Sequence, residues 1–175
     1  MTSAKEEQTT DRKRQIIEAA AGLFAQQGYY KTTTADVART VGVTQPYVFH
    51  FFKSKEALYL TVLGGAVQEI KSAFSLVEAP AEELEDALGG AFHGLLTGGC
   101  RNDVLLCMTA QSISDPGIRQ YVREEFRLIH SLVEERFRLA GFTQLEAKAK
   151  ATNFIGVGLA IALAELLGLQ EEMLC

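Results

Sequence analysis

Residues 33–55 read TTADVARTVGVTQPYVFHFFKSK. Thr33-Thr34-Ala35-Asp36 has the form of a capping box: the Thr33 hydroxyl accepts from the Asp36 amide, and the Asp36 carboxylate reaches back. A short helix from Thr34 to Thr40 follows, with Val37, Ala38 and Val41 as its apolar side. Gly42 supplies a left-handed turn without a Cβ penalty. Thr44 is a good N-cap for a second short helix, Thr44–His50, and Pro46 falls in its first turn, where a missing N–H is no loss. Two short helices that cross closely need a small residue at the crossing and an aliphatic one to bury. Ala38 and Val48 meet those needs, and the pattern is a helix-turn-helix.

Outward from this motif the apolar spacing is helical almost throughout, which predicts an all-α fold. A first helix is expected from about Gln8 to Gln27, with Ile16, Ala20, Leu23, Phe24 and Gln27 on one side and Gly28 as its stop. After the motif a longer helix is expected from Ser54 to Glu78, striped by Leu58, Val62, Ala66, Ile70, Phe74 and Val77 and broken at Ala79-Pro80. Four more follow, at about Glu82–Thr97, Asp103–Ser114, Pro116–Ala140 and Thr143–Leu169. Gly98-Gly99, Asp115-Pro116 and Gly141 separate them. The expected organisation is a three-helix head at residues 1–53 and a helical-bundle body at residues 54–175.

The 175 residues are 47% hydrophobic and 22% charged, enough for a real core. The net charge of −5 is unevenly spread. Residues 1–56 hold eight Lys/Arg and six Asp/Glu, while residues 57–175 hold nine and sixteen. A mildly basic head on an acidic body suits a chain that meets phosphate with one end. No GxGxxG, GxxxxGK, GxSxG or HExxH occurs, and no nucleophile–base set or metal-ligand spacing is visible. The expectation is no enzyme, no cofactor and no metal. Cys100, Cys107 and Cys175 form no CxxC, which suits reduced thiols. The polar start carries no secretory pattern. The longest apolar run, Phe154–Ala164, is short of the roughly 20 residues that a spanning helix needs. A cytoplasmic chain without a membrane partner is expected.

The segments Arg14–Ala20, Leu23-Phe24, Gly28-Tyr29, Thr32-Thr33, Asp36–Ala38, Gly42–Thr44 and Phe51–Leu58 together resemble the tetracycline-repressor (TetR) family of regulators. The resemblance covers about Arg12–Val62; beyond that it is architectural. It implies a homodimer with a DNA-binding head and a body that binds a small effector. The second short helix would enter the major groove, with Thr44, Gln45 and Tyr47 toward base edges and Pro46 among the DNA-binding residues. Gln45 could pair with adenine, and Tyr47 could pack on a thymine methyl. Thr33 and Thr34, Lys55 and His50 would meet phosphates. The family usually has tyrosine where Phe49 stands and a small residue where Pro46 stands. Phe49 lacks the hydroxyl for that phosphate contact.

The last long helix is apolar nearly all round, so more than one face must be buried. With the helix before it, it would form a two-fold four-helix seam between two copies. Val133 and Phe137 are the candidates on one helix. Phe154, Val157, Gly158, Ile161, Ala164 and Leu167 are those on the other. An effector pocket is expected among the body helices, with Phe74, Phe92, His93 and Leu96 from the first two. Met108, Gln111, Phe126 and His130 would complete it. Few polar groups point to an apolar or amphipathic ligand. The leading expectation is a repressor released from a palindromic operator on double-stranded DNA by such a ligand. An activator or corepressor-dependent regulator, or a helical ligand-binding protein without DNA binding, are the alternatives.

Overall fold

The computed structural model describes residues 2–173, and side chains over 8–171. Leu174 and Cys175 lie outside the described residues. Among the described residues there are helices and no strand, so the all-α expectation holds. The helices are α1 (Thr2–Lys31), α2 (Thr34–Val41), α3 (Gln45–Phe51), α4 (Lys55–Ser75) and α5 (Leu84–Thr97). They continue with α6 (Arg101–Ala110), α7 (Pro116–Leu139), α8 (Gln144–Leu167) and the short α9 (Gln170–Met173). The chain divides into two compact units, Met1–Gly65 and Ala66–Cys175. This division falls inside α4 rather than at the expected 53/54. Leu58, Tyr59 and Val62 of the early α4 turns are buried. Tyr59 meets Phe24 of α1 edge-on at 4.9 Å, so those turns belong with the head.

In the head, Gly28 stands at φ 77° and ψ 167° and breaks the helical register of α1, as its glycine predicts. Ile16, Ala20 and Phe24 are buried, whereas Gln27 of the expected apolar stripe is exposed. The capping box at Thr33 forms in both directions: the Asp36 amide donates to the Thr33 hydroxyl at 3.2 Å, and the Thr33 amide donates to the Asp36 carboxylate at 3.0 Å. The Thr33 hydroxyl, donating to the Asp36 carboxylate at 2.6 Å, and then the Thr33 amide favour its charged form and hold Asp36 below the usual carboxylate range. Gly42 takes the left-handed conformation at φ 70°, closing α2 with amide bonds to Ala38 and Arg39 carbonyls. Val37, Ala38 and Val48 are buried together in the head.

In the body, α7 packs along α8, and α5 and α6 also pack on α8. α7 begins on Asp115, whose carboxylate accepts from the amides of Gly117 and Ile118. α8 begins on a second reciprocal capping box, Thr143 with Glu146. α4 stops at Ser75, three residues before the expected Glu78; Ala79 precedes a proline, which disfavours the helical region there. α6 starts at Arg101 and ends at Ala110, and residues up to Ile113 continue only as turns. Lys150 anchors the foot of α8: its ammonium is 3.2 Å from Glu85 and lies 5.0 Å from the centre of the Phe142 ring.

Candidate nucleic-acid interface

α3 is a short helix with one buried side chain, Val48. Helical geometry puts Pro46 and His50 opposite Val48, with Tyr47 and Phe49 on the flanks. Pro46, Tyr47, Phe49 and His50 are all exposed, Phe49 at 43%. The outer face of α3 is thus an aromatic ridge. Tyr47 lies across the Phe51 ring at 5.4 Å, and His50 does so at 5.1 Å. A contiguous ridge of exposed rings is the kind of surface that marks an interaction site.

Besides Thr33, whose hydroxyl and amide both donate to the Asp36 carboxylate, at 2.6 and 3.0 Å, three of the expected contacts are placed differently from the sequence reading. Thr44 is the N-cap of α3 by backbone position but makes no side-chain cap bond. Its exposed hydroxyl therefore has no part in holding the helix. Thr34 is 6% exposed, and its hydroxyl accepts a bond from the Gln45 side-chain amide at 2.8 Å. Thr34 therefore pins α3 to α2 and does not face outward. That same bond fixes Gln45, which remains exposed and can present its other amide hydrogen and its carbonyl oxygen.

Lys55 is the third. Its ammonium donates to the carbonyls of Tyr29 at 2.9 Å, Thr32 at 3.2 Å and Tyr30 at 3.5 Å. It also lies 4.3 Å from the centre of the Tyr29 ring. Half-buried, Lys55 points inward at the end of α1. The exposed cations of the head are elsewhere. Lys31 and Lys53 are exposed and have no ion-pair partner among the described residues, and Arg39 pairs loosely with Asp36 at 3.2 Å. Sequence reasoning passed over Lys31 and Lys53, because exposure of a lysine beside the motif has no spacing signal.

In the body the expected effector residues separate. Phe74 and Leu96 are buried, and Phe92 and Phe126 are half-buried. Phe74 packs edge-on against Phe154 at 5.4 Å and lies 6.4 Å from Phe92. Met108 is half-buried; His93 and Gln111 are exposed and do not join this group. His93 lies on the outward side of α5, and Gln111 follows the last residue of α6. His130 bonds the Thr152 hydroxyl at 3.0 Å and so links α7 to α8. A polar set that the sequence did not reveal lies in the same unit. Lys71 of α4 and Glu125 of α7 form a partly buried ion pair at 2.8 Å. Burial raises the Asp103 carboxyl and the Tyr121 phenol above their ordinary ranges, and pushes the Cys107 thiol up to about 12. Residues 54 positions apart carry no local signal of such a pair.

The seam candidates also divide. Val133, Phe137 and Ala164 are fully buried within the unit, and Phe154 nearly so. They are core, which corrects their assignment to a seam. Gly158 faces the Phe92 ring: a Cβ there would lie 3.8 Å from it. Ile161 is half-buried. Val157 and Leu167 are exposed at 51% and 60%, and Leu163 and Leu166 are exposed beside them. By length and composition α8 could cross a membrane, although its uninterrupted apolar run is short, and only 22% of its most apolar window is buried.

Residues 16–62 match the family described as "Bacterial regulatory proteins, tetR family". The chain is 38% identical over 78 residues to the HTH-type transcriptional regulator HbdR of Aromatoleum sp. (strain CIB), covering 42% of this chain and 34% of that protein. It is 29% identical over 130 residues to the HTH-type transcriptional repressor AcnR of Corynebacterium diphtheriae, covering 73% of this chain and 64% of that protein. These matches span less than two thirds of either relative's own length. The fold is that of AibR, solved in complex with isovaleryl coenzyme A and operator DNA. The TM-score is 0.70 at 22% identity, over 87% of this chain and 86% of that one.

Proposed function

We propose that this chain, a member of the tetR family of bacterial regulatory proteins through the head at residues 16–62, is a sequence-specific DNA-binding transcriptional repressor. The observation that carries this reading is α3. Its one buried residue, Val48, fixes it in the head, while Tyr47, Phe49, His50 and the uncommitted Thr44 hydroxyl face outward. A helix so exposed at its N-terminal end is suited to the major groove. The function is regulatory, not enzymatic.

The repressor acts as a homodimer on a palindromic operator, with half-sites about one helical turn or more apart. The exposed side of α8, formed by Gly156, Val157, Ala160, Leu163 and Leu167, supports a second copy as the partner. These residues recur at helical spacing on one side, with the buried Ala164 among them, while Ala147, Ala151, Phe154 and Ala162 bury the other. One-sided burial suits helix pairing better than lipid on all sides, and supports a cytoplasmic rather than a membrane location. A small effector, largely apolar, would lodge near Phe74, Phe92, Leu96, Met108 and Phe126 and lower DNA affinity by favouring a different head spacing.

A genomic binding selection with the purified protein tests the reading. Recovery of a palindromic duplex, with affinity falling steeply as salt rises, is the expected result. Failure to enrich any duplex would sink it.

A further inference from the structure

The Lys55 ammonium has three N–H donors, and the structure gives it three acceptors, the carbonyls of Tyr29, Tyr30 and Thr32. Its charge also faces the Tyr29 ring. These carbonyls belong to the last turn of α1 and the residue after it, where a helix leaves acceptors unpaired and favours a cation. The turn is held from a second side. Thr32 is fully buried, and its hydroxyl lies 2.9 Å from the Gly28 carbonyl and 3.2 Å from that of Leu23. The next residue, Thr33, opens the capping box of α2.

We propose that Lys55 is a positioning residue for DNA binding: it clamps the α1 end to the start of α4 and so places Thr33 and the first turn of α2, and it does not itself bind a phosphate. This rests on the reading of the head as a DNA-binding unit. Moving the ammonium to a phosphate would strip three carbonyls at one helix end of their donor. Phosphate neutralisation falls instead to the exposed Lys31, Lys53 and Arg39.

The slope of log affinity against log salt separates the two roles. A cation that neutralises a phosphate contributes about 0.9 to that slope on duplex DNA. Backbone amides neutralise nothing, so a misplaced first turn of α2 weakens binding without changing it. The experiment uses the full chain and the duplex recovered by selection. Lys55→Met, which keeps the methylene stem, is expected to bind roughly tenfold more weakly, the scale of one charge-assisted hydrogen bond, with an unchanged slope. Lys53→Ala is expected to lower the slope by about 0.9. Lys55→Arg should restore most of the affinity, since a guanidinium can donate to the same carbonyls. The losses from Lys55→Met and Thr33→Val should be less than additive, because one acts through the other.

A slope lowered by about 0.9 in Lys55→Met, with losses that add to those of Thr33→Val, overturns the proposal and makes Lys55 a phosphate contact. If Lys55→Met does not fold, Lys55→Gln, which keeps one donor group, is read by the same slope. A wild-type chain that binds no duplex removes the DNA-binding reading itself. That outcome is distinct from a changed slope, which removes only the clamp.

Discussion

The head and the body bury comparable apolar side chains, yet only the head announces which ones. In the head, α2 and α3 are too short to hide more than one side. A capping box, a left-handed glycine and one aliphatic residue fix where each begins, stops and faces. In the body, α8 is apolar on every side, and its two sides have different fates. Phe154 and Ala162 are core, whereas Val157 and Leu167 are surface. Hydrophobicity reports that a residue leaves water; it does not report which partner removes it.

The largest expected effect tests that division directly. Phe137→Ala should destabilise the chain by about 3–5 kcal/mol in urea unfolding, the usual cost of emptying a buried phenylalanine site. Leu167→Glu should leave unfolding of the single chain nearly unchanged and abolish self-association in sedimentation. If Leu167→Glu unfolds the chain while Phe137→Ala only dissociates it, core and seam have been exchanged.

Glycine sharpens the same contrast. Gly42 and Gly156 each have open space where a Cβ would stand. Gly42→Ala should still cost about 1–2 kcal/mol, because an L side chain resists its φ of 70°. Gly156→Ala, inside a helix with ordinary φ, should instead raise single-chain stability by about 0.5–1 kcal/mol. Equal signs in the two melting curves would break the comparison.

How far the sequence reached follows from locality. The helix-turn-helix, both glycine stops and the N-terminal caps rest on residues within four positions of one another, so their spacing states them. Gln45 to Thr34 and Lys55 to Tyr29 span 11 and 26 positions. Nothing local distinguishes a lysine that reaches DNA from one that reaches a carbonyl. The body candidates divide for the same reason: His93 lies on the exposed side of α5, and Gln111 falls just past the end of α6, and neither outcome has a local signal. The Thr44 cap is the local exception, a good capping residue whose hydroxyl makes no cap bond.

Cys107 offers a pH test confined to the body. Burial, then the nearby Asp103 and Glu125 charges, push its thiol up to about 12 from an ordinary 9.0. The folded chain thus holds this proton more tightly than the unfolded one. The stability it contributes is whole below about pH 9 and is lost as pH rises toward 12. Near pH 10 the loss should be about 1 kcal/mol relative to Cys107→Ala. At neutral pH, iodoacetamide should leave Cys107 unlabelled until urea unfolds the body. Rapid labelling of the native chain would show an accessible thiolate instead.

The smallest effect returns to the head, where one departure from the resemblance is written on the surface. Phe49 is exposed on a flank of α3 and carries no hydroxyl. Phe49→Tyr adds one oxygen at the edge of an exposed ring, so the fold should not notice it, and melting should be unchanged. If that flank faces the DNA backbone, the new hydroxyl can donate to a phosphate oxygen, worth about 0.5–1 kcal/mol, or roughly two- to fivefold in affinity. The gain should be the same for specific and scrambled duplexes, since a phosphate contact carries no sequence information. A gain confined to the specific duplex would place position 49 against base edges. No gain at all would turn that flank away from the DNA and leave Tyr47 on the reading side of the helix.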